Sequence, residues 1–213
     1  MACFITFEGI EGCGKTTQVR LLADLLMSRG HTVTVTREPG GCPIADQVRA
    51  ILLNAENRAL VPLSELLLYA AARVQHVEEV IRPALAAGGI VICDRFTDAT
   101  VAYQGYGRSL DLDLIDRLNS IATGGIAPDL TILLDCPEET GLSRAMARIN
   151  SSAGEREERF EQESLRFHRA VRQGYLRLAG AEPQRFIILD ATRCIEETAA
   201  EITGKILARI AEG

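Results

Sequence analysis

The chain has 213 residues, 47% hydrophobic and 24% charged, with a net charge of −6. This suits one α/β domain able to bury a sizeable core, and the negative balance argues against a general nucleic-acid or membrane-surface binder. Six scattered cysteines with no C-x-x-C pair argue against a zinc site and fit a reducing cytoplasm, while the lack of a basic-then-apolar leader or a long uncharged apolar run predicts neither export nor a membrane span.

The first element is a strand over 3–8, where apolar and polar residues alternate. Residues 9–16 then read Gly-Ile-Glu-Gly-Cys-Gly-Lys-Thr, a complete G-x-x-x-x-G-K-[ST] phosphate-binding loop. A helix over 15–29 follows, with Val19, Leu22, Ala23 and Leu26 as its apolar stripe. Gly9, Gly12 and Gly14 let the backbone turn its N–H groups inward, and the helix adds its positive dipole end, so the segment suits the phosphates of a nucleoside triphosphate. The motif puts Lys15 at the β- and γ-phosphates and Thr16 on Mg²⁺, with Ile10, Glu11 and Cys13 completing the loop. Cys13 is expected to be a small space-filling side chain.

Further strands are expected at 32–37, 90–94, 130–135 and 185–190. Helices are expected at 43–54, 63–87, 111–124, 137–149, 157–179 and 195–211. Strands alternating with helices imply a parallel sheet covered on both faces, and the apolar runs 90–93 and 130–134 read as its central strands. The stretch 150–159, small polar residues followed by dense charge, reads as a mobile surface segment. His76 and His168 are expected as helix-surface or packing residues.

In such a fold the ligand crevice lies beyond the carboxyl ends of the strands. Polar residues stand there at Glu8, Arg37-Glu38, Asp94-Arg95 and Asp135. Asp94 has the position of an acid that reaches Mg²⁺ directly or through water. Arg95 occupies a place where a hydrolytic enzyme usually needs a water-orienting carboxylate or amide, and it offers instead a planar fork to a second phosphate. Arg37 ends the second strand, and Arg73 lies four residues after Tyr69, on the same helix face.

The ordered motifs, from the phosphate loop through T-R-E-P-G-G, Y-A-A-A-R-V-Q, D-R-F-x-D-x-T-x-A-Y-Q-G-Y-G-R and E-R-F-E-Q-E, resemble bacterial thymidylate kinases through nearly the whole chain. The resemblance implies a three-layer P-loop fold in one domain: a five-stranded parallel sheet flanked by helices, an acceptor region at about 37–108 and a lid at about 144–160. It implies transfer of a phosphoryl group from ATP to dTMP with Mg²⁺ held by Thr16 and Asp94, in a cytoplasmic homodimer. For the acceptor it implies Arg37 and Arg95 on the monophosphate, Tyr69 stacked on thymine and Arg73 on a thymine carbonyl. Thr100 and Gln104 would line the base pocket, Tyr103 the sugar, and Pro39 the same region. Glu11 would stand near the 3′-hydroxyl and the reacting phosphates. Because the loop carries Gly12 and no arginine, the catalytic arginine is expected from the lid, with Arg159 the best motif match and Arg148 and Arg156 nearby. Arg144, Arg148 and Arg193 are expected on the ATP side. Two positions depart from the family pattern: Ala99, where serine is common, and Cys42, where threonine often follows the two glycines.

Overall fold

The computed structural model describes residues 2–151 and 159–212. Five parallel strands, β1 (Cys3–Glu8), β2 (Val33–Arg37), β3 (Ile90–Asp94), β4 (Leu130–Asp135) and β5 (Phe186–Asp190), lie in the order β2-β3-β1-β4-β5. The expected α/β sheet is thus present, with β1 at its centre.

Position in the sheet explains the burial patterns. Every residue of β1 is buried, including Thr6 and Glu8, so its sequence alternation does not mark a solvent face. Thr6 is satisfied across the sheet by the Thr131 hydroxyl at 2.9 Å. The edge strands β2 and β5 are only partly covered. α1 (Lys15–Ser28) lays Val19, Leu22, Ala23 and Leu26 on the sheet, which is the stripe expected from their spacing.

The remaining helices are α2 (Pro43–Leu53), α3 (Pro62–His76), α4 (Arg82–Ala86), α5 (Thr97–Thr100), α6 (Leu112–Thr123), α7 (Glu138–Ser151), α8 (Leu165–Ala181) and α9 (Ile195–Glu212). The helix expected over 63–87 is divided by a wide π-turn, Val77–Ile81, just before Pro83, which has no N–H to continue an ordinary helical ladder. The helix expected over 157–179 begins later, at Leu165, because the Ser164 hydroxyl caps it by accepting from Phe167 N. α5 and the π-turn that continues it, Val101–Gly107, were not expected as helix, since their Thr, Val, Tyr and Gly residues are weak helix formers. Residues 152–158, the middle of the expected lid and with them Arg156, lie outside the described residues. Among the described residues no helix is long and apolar enough to cross a membrane.

Candidate active site

The phosphate loop connects β1 to α1 at the carboxyl end of the sheet. Gly14 caps α1 with φ 94°, in the left-handed region, so the loop enters the helix with its amides turned inward. Gly12 is required for a different reason: a Cβ there would lie 2.0 Å from the Gly141 carbonyl oxygen of α7. Helix α7 therefore presses on the loop at a place where no side chain fits, which is a physical reason for the absence of a loop arginine. Lys15 lies across the loop, donating to the carbonyls of Gly9 at 3.0 Å and Ile10 at 2.8 Å and to the buried Cys13 thiol at 3.4 Å. Thr16 donates to Asp94 Oδ2 at 3.1 Å. A hydroxyl and a carboxylate side by side beyond β1 and β3 are hard oxygen donors of the kind that suit Mg²⁺ beside phosphates.

The loop opens into a cavity of about 590 Å³. Glu11, Gly12, Lys15, Thr16 and Asp94 line one end, and Arg37, Pro39, Tyr69, Arg73, Arg95, Thr100, Tyr103 and Gln104 line the other. Every residue expected to touch the acceptor thus faces one space. Tyr69 is half-buried on α3, while Arg73, Thr100, Tyr103 and Gln104 are almost fully buried. Arg37 is half-exposed and paired with Asp46 at 3.1 Å.

The arginines are held by groups whose importance the motifs did not declare. Arg73 donates to Glu38 at 2.7 Å, Asn119 at 2.6 Å, the Phe96 carbonyl at 3.1 Å and the Thr100 hydroxyl at 2.9 Å. Glu38, which follows Arg37 and precedes the cis Pro39, also faces His76 Nδ1 at 2.9 Å, while His76 Nε2 meets the Thr36 hydroxyl at 2.6 Å. His76 is therefore fully buried, the packing alternative of the two expected for it, and polar-bonded at both ring nitrogens. Gln104 donates to Glu65 at 2.7 Å, so its carbonyl oxygen is the end left to meet a ligand.

Arg95 is one of two non-glycine residues with positive φ among the described residues, at 73°. That conformation costs about 1–2 kcal/mol for an L-residue and is stabilised by its surroundings. Its amide donates to Phe7 O at 2.9 Å, and the next amide, Phe96 N, donates to Glu8 Oε1 at 2.7 Å. The guanidinium donates from Nη1 to Gly9 O at 2.7 Å and Tyr175 Oη at 3.1 Å, and from Nη2 to Glu11 Oε1 at 3.0 Å. It also lies over the Tyr103 ring, 4.9 Å from the centroid. Among the described residues, Nε–H and one Nη2–H keep no partner, so one edge of the fork remains for an anion.

Glu11 is buried as an anion. Tyr103 Oη donates to its Oε1 at 2.5 Å, and His168 Nδ1 faces its Oε2 at 3.3 Å but off the hydrogen-bond axis. Burial by itself pushes the carboxyl up; His168, Arg95, Lys15 and Tyr103 outweigh it and hold it at about 2. His168 is also fully buried, with Nε2 3.0 Å from the Phe160 carbonyl, an oxygen that can only accept.

Three of the expected arginines lie outside the cavity lining. Arg159 is not among the cavity-lining residues: its Nε donates to Leu52 O and its Nη2 to the buried Glu65 at 2.6 Å. A carboxylate buried on α3 draws the nearest cation more strongly than solvent does. Arg193 runs along α9 to Glu197 at 3.4 Å and Glu201 at 2.6 Å, outside the cavity lining. Arg144 donates to Ala191 O at 2.8 Å, on the loop after β5. Arg148, one turn further along α7, does line the cavity, with Nη2 3.8 Å from Glu161 Oε1. Arg49, which no motif contains, and Glu161, present only as a letter of E-R-F-E-Q-E, also line it.

A phosphate loop, an Asp-Arg strand end and an arginine-rich second compartment, all on a five-stranded parallel sheet, define a P-loop nucleotide kinase. The thymidylate kinase family model matches residues 7–202, and the chain belongs to that family. It is similar to the thymidylate kinases of Geotalea uraniireducens, 67% identical over all of both chains, and Geobacter sulfurreducens, 64% identical over 99% of each. Among solved structures it is similar to the thymidylate kinase of Ehrlichia chaffeensis, with a TM-score of 0.77 and 35% identity, over 97% of this chain and 98% of that one.

Proposed function

We propose that this chain transfers the γ-phosphoryl group of ATP to dTMP, giving ADP and dTDP for DNA precursor synthesis. The observation that carries this reading is one cavity with a phosphate loop at one end and a set of arginines, aromatic rings and an amide at the other. The phosphate loop and Lys15 hold the donor phosphates; Arg95 and Arg37 hold the acceptor phosphate. Tyr69 covers the thymine face, Arg73 donates to a base carbonyl, and Thr100 and Gln104 complete the base edge. Tyr103, fixed by Glu11 and Arg95, closes the space beside C2′ of the sugar, where a ribose hydroxyl would crowd the ring.

Thr16 and Asp94 would hold Mg²⁺, which supplies charge neutralisation at the β- and γ-phosphates. The acceptor needs no general base, because a phosphate monoester has a second pKa near 6 and is largely deprotonated at neutral pH. Catalysis is alignment and charge stabilisation by Lys15, Arg95 and an arginine from the 144–160 segment. For that arginine we place Arg148 ahead of Arg159, since Arg148 lines the cavity and Arg159 is tied to Glu65. We further propose a cytoplasmic homodimer, a reading supported by exposed Leu63, Leu67 and Val74 along one face of α3 and Ile44 and Ile51 on the adjoining α2.

ADP release measured with dTMP, dUMP, AMP, thymidine and no acceptor tests the activity. Release that depends on dTMP is expected. Release independent of any acceptor would identify an ATPase and overturn the reading.

A further inference from the structure

Two fully buried polar side chains, Glu8 and Tyr175, have no place in the phosphate-transfer chemistry above, yet both meet at Arg95. Tyr175 comes from α8, and its hydroxyl accepts from Arg95 Nη1 at 3.1 Å while donating to Glu8 Oε2 at 2.7 Å. The other Glu8 oxygen accepts from Phe96 N at 2.7 Å. Because Phe96 follows Arg95 in the chain, these bonds close a ring: guanidinium, phenol, carboxylate, amide, and back along the backbone to the guanidinium. The ring grips Arg95 at two places, its left-handed backbone turn and its Nη1 edge. The remaining Nη1 hydrogen goes to Gly9 O at 2.7 Å, the residue after Glu8.

We propose that Tyr175 and Glu8 are positioning residues for Arg95, a clamp that leaves the Nε/Nη2 side of its fork aimed at the acceptor phosphate. The proposal rests on the assignment of Arg95 to that phosphate. The hydroxyl of Tyr175 touches both Arg95 and Glu8, so its polarity decides the geometry: it accepts from a cation and donates to the Glu8 carboxyl oxygen. Burial and the neighbouring Glu8 push the phenol well above its ordinary range, so it keeps the proton it donates. Burial and the charge of Asp98, itself bonded by Arg185 at 2.7 Å and Thr131 at 3.3 Å, push the Glu8 carboxyl up to about 8.

Tyr175→Phe keeps the ring and its packing against Tyr103 but removes the link. Glu8→Gln keeps an acceptor for Phe96 N but turns an amide donor toward the phenol oxygen, which then competes with Arg95. Misplacing a phosphate-binding group by about 1 Å costs up to ~10²-fold. Each variant is therefore expected to lower kcat/KM for dTMP by roughly 10- to 100-fold and to weaken dTMP binding, with KM for ATP within about threefold of wild type.

The decisive experiment is a double-mutant cycle with Arg95→Ala, read by dTMP calorimetry and steady-state kinetics alongside thermal melts. Tyr175→Phe should have no further effect on dTMP binding once Arg95 is gone, and Glu8→Gln should behave the same way should Tyr175→Phe fold poorly. Effects that add fully to Arg95→Ala, or a Tyr175→Phe enzyme with wild-type dTMP kinetics, would overturn the clamp. If Arg95→Ala itself leaves dTMP binding unchanged, it is the acceptor-phosphate assignment that fails, and the clamp with it.

Discussion

The donor and acceptor ends of the cavity are built on different physical plans. At the donor end the residues assigned to ATP belong to one contiguous loop, shaped by glycines and a helix terminus, with Lys15 and Thr16 following directly in sequence. At the acceptor end the residues assigned to dTMP are side chains from β2, α3, the turn after β3, α5 and the π-turn, and three of them are held by a buried carboxylate or amide from elsewhere: Arg73 by Glu38 and Asn119, Gln104 by Glu65, Arg95 by Glu11. A backbone site is specified locally and tolerates changes elsewhere. A side-chain site gains selectivity for a nucleobase, but it depends on partners up to tens of residues distant, and those partners share its vulnerability.

The largest expected effect separates the ends by acceptor dependence. Lys15→Ala should lower turnover by roughly 10²–10³-fold with every acceptor, while dTMP binding measured without ATP stays near wild type. Equal loss of dTMP affinity would erase the distinction.

Next in size is Glu38→Ala, which leaves the Arg73 guanidinium buried without its carboxylate. Loss of one member of such a pair costs about 3–5 kcal/mol, visible in denaturant unfolding. A change under about 1 kcal/mol would mean that Asn119, Thr100 and the Phe96 carbonyl satisfy Arg73 without it.

Glu11 belongs to both ends, and its effect is read through pH. Its folded carboxyl is held at about 2, below the ordinary 4.5, so its contribution to stability is fully present above pH 4.5 and is lost as pH falls toward 2. The amount is about 3 kcal/mol, and Glu11→Gln should flatten that part of the stability profile. A profile unchanged by the substitution would show that other carboxylates carry the acid loss.

The smallest expected effect concerns the arginine from α7. Arg148→Ala should reduce kcat by roughly 10-fold or more with little change in stability, because the residue is exposed and lines the cavity. Arg159→Ala should chiefly lower stability, by about 1–3 kcal/mol, since it removes a donor from buried Glu65. The opposite pattern would return the catalytic role to Arg159.

The contrast between the ends also explains what could be read from the chain. The parallel sheet, its five strands and the stripe of α1 followed from the alternation of apolar runs and helical stripes, and the donor loop followed from eight contiguous residues; the order of the strands did not. The acceptor side chains at 37, 69, 73 and 95 were legible as strand-end and helix-face residues, with family resemblance supplying their roles. Their supports were not: Glu38 was visible only as a motif letter, Asn119 and Glu65 as ordinary helix residues, and Tyr175 not at all, because its contacts with Glu8 and Arg95 span 167 and 80 residues. His76 and His168 read as bland helix positions for the same reason. Arg159 carried the motif match, yet the pull of a buried carboxylate on α3 outweighs any local signal. The π-turn over 101–107 was hidden by residues that rarely favour helix but are held there by packing, with Gly107 against Phe167 where a Cβ would lie 2.6 Å from the ring.

The most direct test of an acceptor site held by remote carboxylates is calorimetric titration of Glu38→Gln with dTMP and, separately, with a non-hydrolysable ATP analogue. The substitution preserves size but removes the charge that holds Arg73 and turns an amide donor toward Arg73 or His76. A dTMP Kd raised by about 10-fold, with the ATP-analogue Kd within about twofold of wild type, is the predicted result. Unchanged dTMP affinity, or an equal loss for both nucleotides, would contradict it.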